Sequence, residues 1–203
     1  MAQDMPWRDD ITLQFELVNK FTTNESEYYG PYNTLLHVLF PSTDGYQVSL
    51  KYERKAGSIN FTIVYITTRR KVLVFFVQVK NYLAYDNDSD REEADEQMRR
   101  KFLECRSASL PIPSTLYGLS ALGTRLCIYE YTVETRTLTP PRIIPGDPEL
   151  LTDTAPQERW NLELFEPQGE ARLKRVVDRI KEMVVAGPEC KCFALSLNLA
   201  LTL

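Results

Sequence analysis

The chain has 203 residues, with 24 Lys and Arg against 28 Asp and Glu, one His, four Cys and 43% hydrophobic residues. These numbers fit one globular domain, or a domain with a small appendage. They exclude sites needing two or more His ligands and a disulfide framework. No apolar run approaches the roughly 20 residues of a membrane-spanning helix, so no membrane partner is expected. No signal-peptide pattern precedes Asp10, which makes the expected compartment intracellular, cytoplasm or nucleus. The net charge of −4 argues against polyanion binding, but it is unevenly spread. From Gly45 to Tyr85, Lys51, Arg54, Lys55, Arg69, Arg70, Lys71 and Lys80 face Glu53 as the sole acid, and an acidic stretch, Asp86 to Glu96, follows. Two readings stand: a solvated surface balanced by that stretch, or a local phosphate-facing patch on an acidic protein.

Taken in order, Asp10 to Asn19 alternates in apolar character and reads either as a short strand or as the lead into a helix. Asn24 with Glu25 and Glu27 resembles a helix start, Gly30-Pro31 kinks or delays that helix, and its apolar face ends before Pro41. Ser42 to Gly45 is a turn. Three strands are predicted at 46–53, 59–67 and 72–80, each rich in β-branched and aromatic residues. The run Val72 to Val77 is apolar without a break, as in a central strand covered on both faces. A helix over 89–106 follows, capped by Asp88 or Ser89, with Ala94, Met98 and Phe102 four residues apart. Pro111 and Pro113 open a loop, residues 124–133 alternate as a strand with a return at Thr135 to Thr137, and 139–156 is proline-rich and irregular. Residues 168–185 form an amphipathic helix. From Phe193 to Leu203 apolar residues alternate strictly, a strand period that must pair, dock or join an interface. The expected organisation is a domain over 1–188 and a strand-like tail over 189–203.

Chemistry concentrates on the second and third strands. A hairpin centred on Arg69 sets Asn60 directly opposite Gln78, and Lys80 shares that face by the period of two. Three polar groups thus converge at one end of strands that are otherwise apolar, and buried polar groups need partners. An amide pair with a Lys snorkelling to the rim explains the same residues without a function. Gln97, on the following helix, either faces this cluster and touches a phosphate or base, or is a solvated helix residue.

This order of elements, with a polar residue on strand two and x-x-Lys closing strand three, resembles the PD-(D/E)XK, or restriction-endonuclease-like, nuclease fold. More narrowly the chain is similar to a broad family of basidiomycete fungal proteins. The matching blocks are Glu25 to Asn33, Gly57 to Ile63, Val74 to Lys80, Arg91 to Arg99, Tyr117 to Arg125, and Asp153 to Pro156 with Arg159 to Asn161. Together they cover about Asn19 to Val185 and leave out the tail. The resemblance implies an α/β fold with a small mixed sheet flanked by helices, and hydrolysis of DNA or RNA phosphodiesters with Mg²⁺ or Mn²⁺. In that scheme Glu25 or Glu27 supplies the first carboxylate, the positions of Asn60 and Gln78 supply two more metal ligands, and Lys80 orients or activates the attacking water. On the phosphate-facing reading of the charge, Lys51, Arg54, Lys55, Arg69 and Arg70 would meet the nucleic acid, joined by Gln97 where that residue faces the cluster.

Here the two central positions hold amides. Asn60 and Gln78 keep the shape of Asp and Glu while removing two negative charges, and hard divalent cations want anionic oxygen ligands. The expected protein is therefore a metal-dependent nuclease that is weakened or inactive, either a natural pseudo-nuclease or an inactivated variant. The competing expectations are a nucleic-acid-binding module without catalysis, and an interaction domain that self-associates or pairs with a partner through 193–203. Other chemistry falls away. Cys105, Cys127, Cys190 and Cys192 lack the spacing of a Cys₄ zinc site and read as buried thiols, and His37 sits on a helix beside Leu36 and Leu39 rather than beside a nucleophile.

Overall fold

A computed structural model describes residues 7–53, 58–66, 70–107, 110–146 and 152–186, the side chains of 51–53, 58–60 and 107 excepted. The tail at 189–203, and with it the proposed pairing strand, lies outside the described residues, as do Arg54, Lys55 and Arg69. In chain order the elements are α1 (Asp9–Glu16), α2 (Tyr29–Leu39), β1 (Tyr46–Glu53), β2 (Ser58–Ile66), β3 (Lys71–Lys80), α3 (Asp88–Ser107), β4 (Thr115–Leu122), β5 (Arg125–Thr132), β6 (Thr137–Thr139), β7 (Leu162–Glu163) and α4 (Pro167–Val185). The fold is α/β. Its seven-stranded sheet runs β1-β2-β3-β4-β5-β6, and β7 adds to β5. All pairs are antiparallel except β3–β4, which is parallel and is connected through α3. A parallel neighbour needs such a crossover.

The sheet separates two apolar layers. Ile11, Phe15, Tyr32, Leu35, Leu36, Phe75, Val77, Val79, Leu173, Val176 and Ile180 form the layer of α1, α2 and α4. Phe76, Ala94, Met98, Phe102, Leu122, Tyr129 and Trp160 form the layer of α3 and the stretch leading to α4. β3 is buried at every residue after Lys71, as its uninterrupted apolar run foretold for a central strand.

The structure decides two local alternatives and corrects one cap. The alternating residues after Asp10 form a helix. Ile11 and Phe15, one helical turn apart, are buried, while Leu13 and Leu17 stay exposed, so the 3.6-residue period prevails over the period of two. Gly30-Pro31 delays rather than kinks α2. Asn24 caps a 3-10 turn over Glu25–Tyr28, and Pro31 falls in the first turn of α2, where its missing N–H is no loss. Asn87, not Asp88 or Ser89, caps α3, its Oδ1 accepting the Ser89 N–H at 3.1 Å.

The largest omission is β4, in a stretch read as loop. Its small residues Gly118, Ser120 and Ala121 hide the strand pattern, yet Gly118 is required there. A Cβ would lie 2.8 Å from Met98 Cε and 2.9 Å from Phe76 Cζ, so α3 approaches the sheet only over a glycine.

Candidate functional site

The site begins with register. On β2 and β3 the pairs Ile59↔Val79, Asn60↔Gln78, Phe61↔Val77, Thr62↔Phe76 and Ile63↔Phe75 follow the expected pairing. Beyond Ile63 a β-bulge shifts it, so that Val64 pairs with Leu73 and the hairpin is not centred on Arg69. The bulge lies toward the turn, so Asn60 remains opposite Gln78. The same row continues across the sheet: Lys51 opposite Asn60, Gln78 beside Ser120, and Ser120 opposite Cys127.

Gln78 and Lys80 face α3 and are only 2% and 5% exposed. Each has a partner on that helix. Gln78 Nε2 donates to Gln97 Oε1, and the Lys80 ammonium donates to the Glu93 carboxylate. The two pairs form because the spacings match. Residues two apart on a strand are about 6.6 Å apart, and residues four apart on a helix rise about 6 Å. Gln78 and Lys80 therefore meet Gln97 and Glu93 as two parallel rungs. Further along the row, the Trp160 indole N–H donates to Ser120 Oγ at 3.2 Å.

One atom is left over. Gln78 Oε1 is buried and accepts no hydrogen bond. An unsatisfied buried acceptor costs about 1–3 kcal/mol, and a Val or Leu at this central-strand position would avoid that cost. Packing of the sheet against α3 does not by itself account for a glutamine at position 78.

An adjoining buried stripe of α3 carries a second network. Asp95 accepts from Arg99 Nε at 2.6 Å, from the Tyr129 hydroxyl at 2.6 Å, and from Arg159. Arg99 and Arg159 also donate to the carbonyls of Pro140 and Pro141, at 3.1 and 2.9 Å. Arg91 donates to the carbonyls of Ala155 and Tyr85, at 2.9 and 2.8 Å, and to the Asp153 carboxylate at 3.0 Å. Arg91, Asp95 and Arg99 stand at four-residue intervals, so one stripe of α3 anchors the irregular segment that follows β6.

Of the two carboxylates expected near Lys80, Glu25 is the one held at the end of β3, accepting from Asn81 Nδ2 at 3.2 Å. Glu27 instead accepts from the Thr22 hydroxyl at 2.7 Å, within its own loop. The turn bearing Glu25 packs through Tyr28 into the layer of α1, α2 and α4, opposite the one Gln78 and Lys80 face. Arg70 lies immediately before β3 and is partly buried. Lys51 and Asn60 are placed by register alone. Glu93, Ser120 and Trp160 escaped the sequence reading. Glu93 was within reach of it, since it stands one helical turn before Gln97.

The cation that this scaffold resemblance implies, Mg²⁺ or Mn²⁺, can be tested against these donors. Among the described residues, the oxygens of the two rungs belong to Gln78, Gln97 and Glu93, and the Glu93 charge is cancelled by Lys80. Among the described residues, no three His, Cys, Asp or Glu side chains converge on one point. Two amides beside an ammonium–carboxylate pair carry no net negative charge and do not fit a hard divalent ion. The thiols offer nothing better. Burial pushes Cys105 up to about 11 and Cys127 up to about 12, so both are protonated at neutral pH. No family model matches the chain, and no curated protein or solved structure does either. Among the described residues, no helix is long and apolar enough to cross a membrane.

Proposed function

We propose that the chain is a pseudo-nuclease: a restriction-endonuclease-like domain, of the fungal family it resembles, that engages DNA or RNA without cutting it. The observation that carries this reading is the trio of Asn60, Gln78 and Lys80. Gln78 and Lys80 are buried two residues apart at the end of the central strand, Asn60 stands opposite Gln78, and the amides occupy the positions where the resemblance calls for carboxylates. The order helix, three antiparallel strands, crossover helix and parallel strand supports the same scaffold. The basic excess between Gly45 and Tyr85 supplies the charge that would meet a phosphate backbone.

Fluorescence anisotropy with a labelled oligonucleotide tests this reading. About four phosphate contacts would weaken binding roughly 100-fold between about 50 and 200 mM salt. The native chain should leave the oligonucleotide intact in Mg²⁺ or Mn²⁺. Undetectable binding at low salt, or cleavage by the native chain, refutes the proposal.

A further inference from the structure

We infer that the Lys80 ammonium, clasped by Glu93, is a tethered cation that takes the place of the divalent ion. This inference rests on the pseudo-nuclease reading and deepens it, for the two amides are then only half of what excludes metal. The first support is charge: the α3-side cluster holds one ammonium and one carboxylate, balanced without any ion. The second is geometry. Lys80 is 5% exposed and Glu93 reaches it from a half-exposed position on α3, so the contact is made by a helix residue rather than by the strand bearing Asn60. The third is the oxygen set. Gln78 Oε1 is buried and without a donor, its amide group is held by the Gln97 oxygen, and on the next rung the positive charge that meets the Glu93 carboxylate is covalently part of β3. Removing an ammonium from a set of oxygens leaves the ligand type that hard cations prefer, and adding a carboxylate tightens such a site.

The test reads metal uptake, so its failure is separable from a failure of nucleic-acid binding. Free Mn²⁺ is followed by electron paramagnetic resonance with the full chain in four forms: native, Gln78→Glu, Lys80→Met, and both changes together. Thermal melts by circular dichroism confirm that each is folded. The native chain and Gln78→Glu should show no saturable uptake. The double variant should take up Mn²⁺ saturably, where Gln78→Glu takes up none, with a melting temperature that rises with added Mn²⁺, and both effects should vanish when Glu93→Gln is added. Saturable binding by Gln78→Glu overturns the inference, as does a folded double variant that takes up no Mn²⁺. If Lys80→Met does not fold, Gln78→Glu decides alone: saturable Mn²⁺ uptake with Lys80 in place refutes the tethered cation, and its absence supports it.

Discussion

Asp95 illustrates how much one side chain can hold. It is 6% exposed and serves two buried guanidiniums and a tyrosine hydroxyl at once. Asp95→Ala would strand Arg99 and Arg159 beside a cavity, a loss of about 3–5 kcal/mol, which a lowered urea midpoint with unchanged slope would register. The buried thiols define a different response. The fold raises Cys105 to about 11 and Cys127 to about 12 from an ordinary 9.0, and Tyr28 and Tyr46 to about 12 from 10.0, in each case chiefly by desolvation. The native state therefore holds these protons more tightly than the unfolded chain does. Their contribution is fully present below pH 9 and is lost as pH climbs toward 12. Melting temperature should fall steadily across that interval, and at pH 8 a maleimide followed by peptide mapping should leave Cys105 and Cys127 unlabelled in the folded chain.

Among the elements, β2, α3 and α4 are legible in the sequence because each carries an apolar face whose period is visible, β3 because its apolar run is unbroken, and β1 because it is rich in β-branched and aromatic residues. The facing of Asn60 and Gln78 is legible too, since a hairpin transmits register along its whole length. What stays hidden depends on contacts distant in sequence. β4 carries a glycine at its middle, and only the approach of Met98, Phe76 and Phe102 explains it. Gly118→Ala should cost about 1–3 kcal/mol by overpacking, seen as a lower melting temperature, although alanine is ordinarily the better strand residue of the two. The Lys80–Glu93 clasp is hidden for a similar reason. A strand period and a helix period must be laid against each other before the two rungs appear.

At the scale of the whole molecule, α3 belongs to two neighbourhoods. One face seals the sheet with Ala94, Met98 and Phe102, and presents Glu93 and Gln97 to β3. The adjoining stripe of Arg91, Asp95 and Arg99 holds Pro140, Asp153, Ala155 and Arg159. The two rungs and the anchored segment therefore share a single rigid rod, and a change that loosens one loosens the other. Those anchoring partners lie more than 40 residues downstream of the arginines and aspartate they satisfy, and several more than 60. During synthesis the helix leaves the ribosome long before Asp153 or Arg159 exists. Its charged stripe is then still paired with water, and at a few to some 20 residues per second the delay lasts seconds. The sheet's second layer thus closes only when the approach to α4 has been made, so the nascent chain commits to its native packing after that segment has emerged rather than strand by strand.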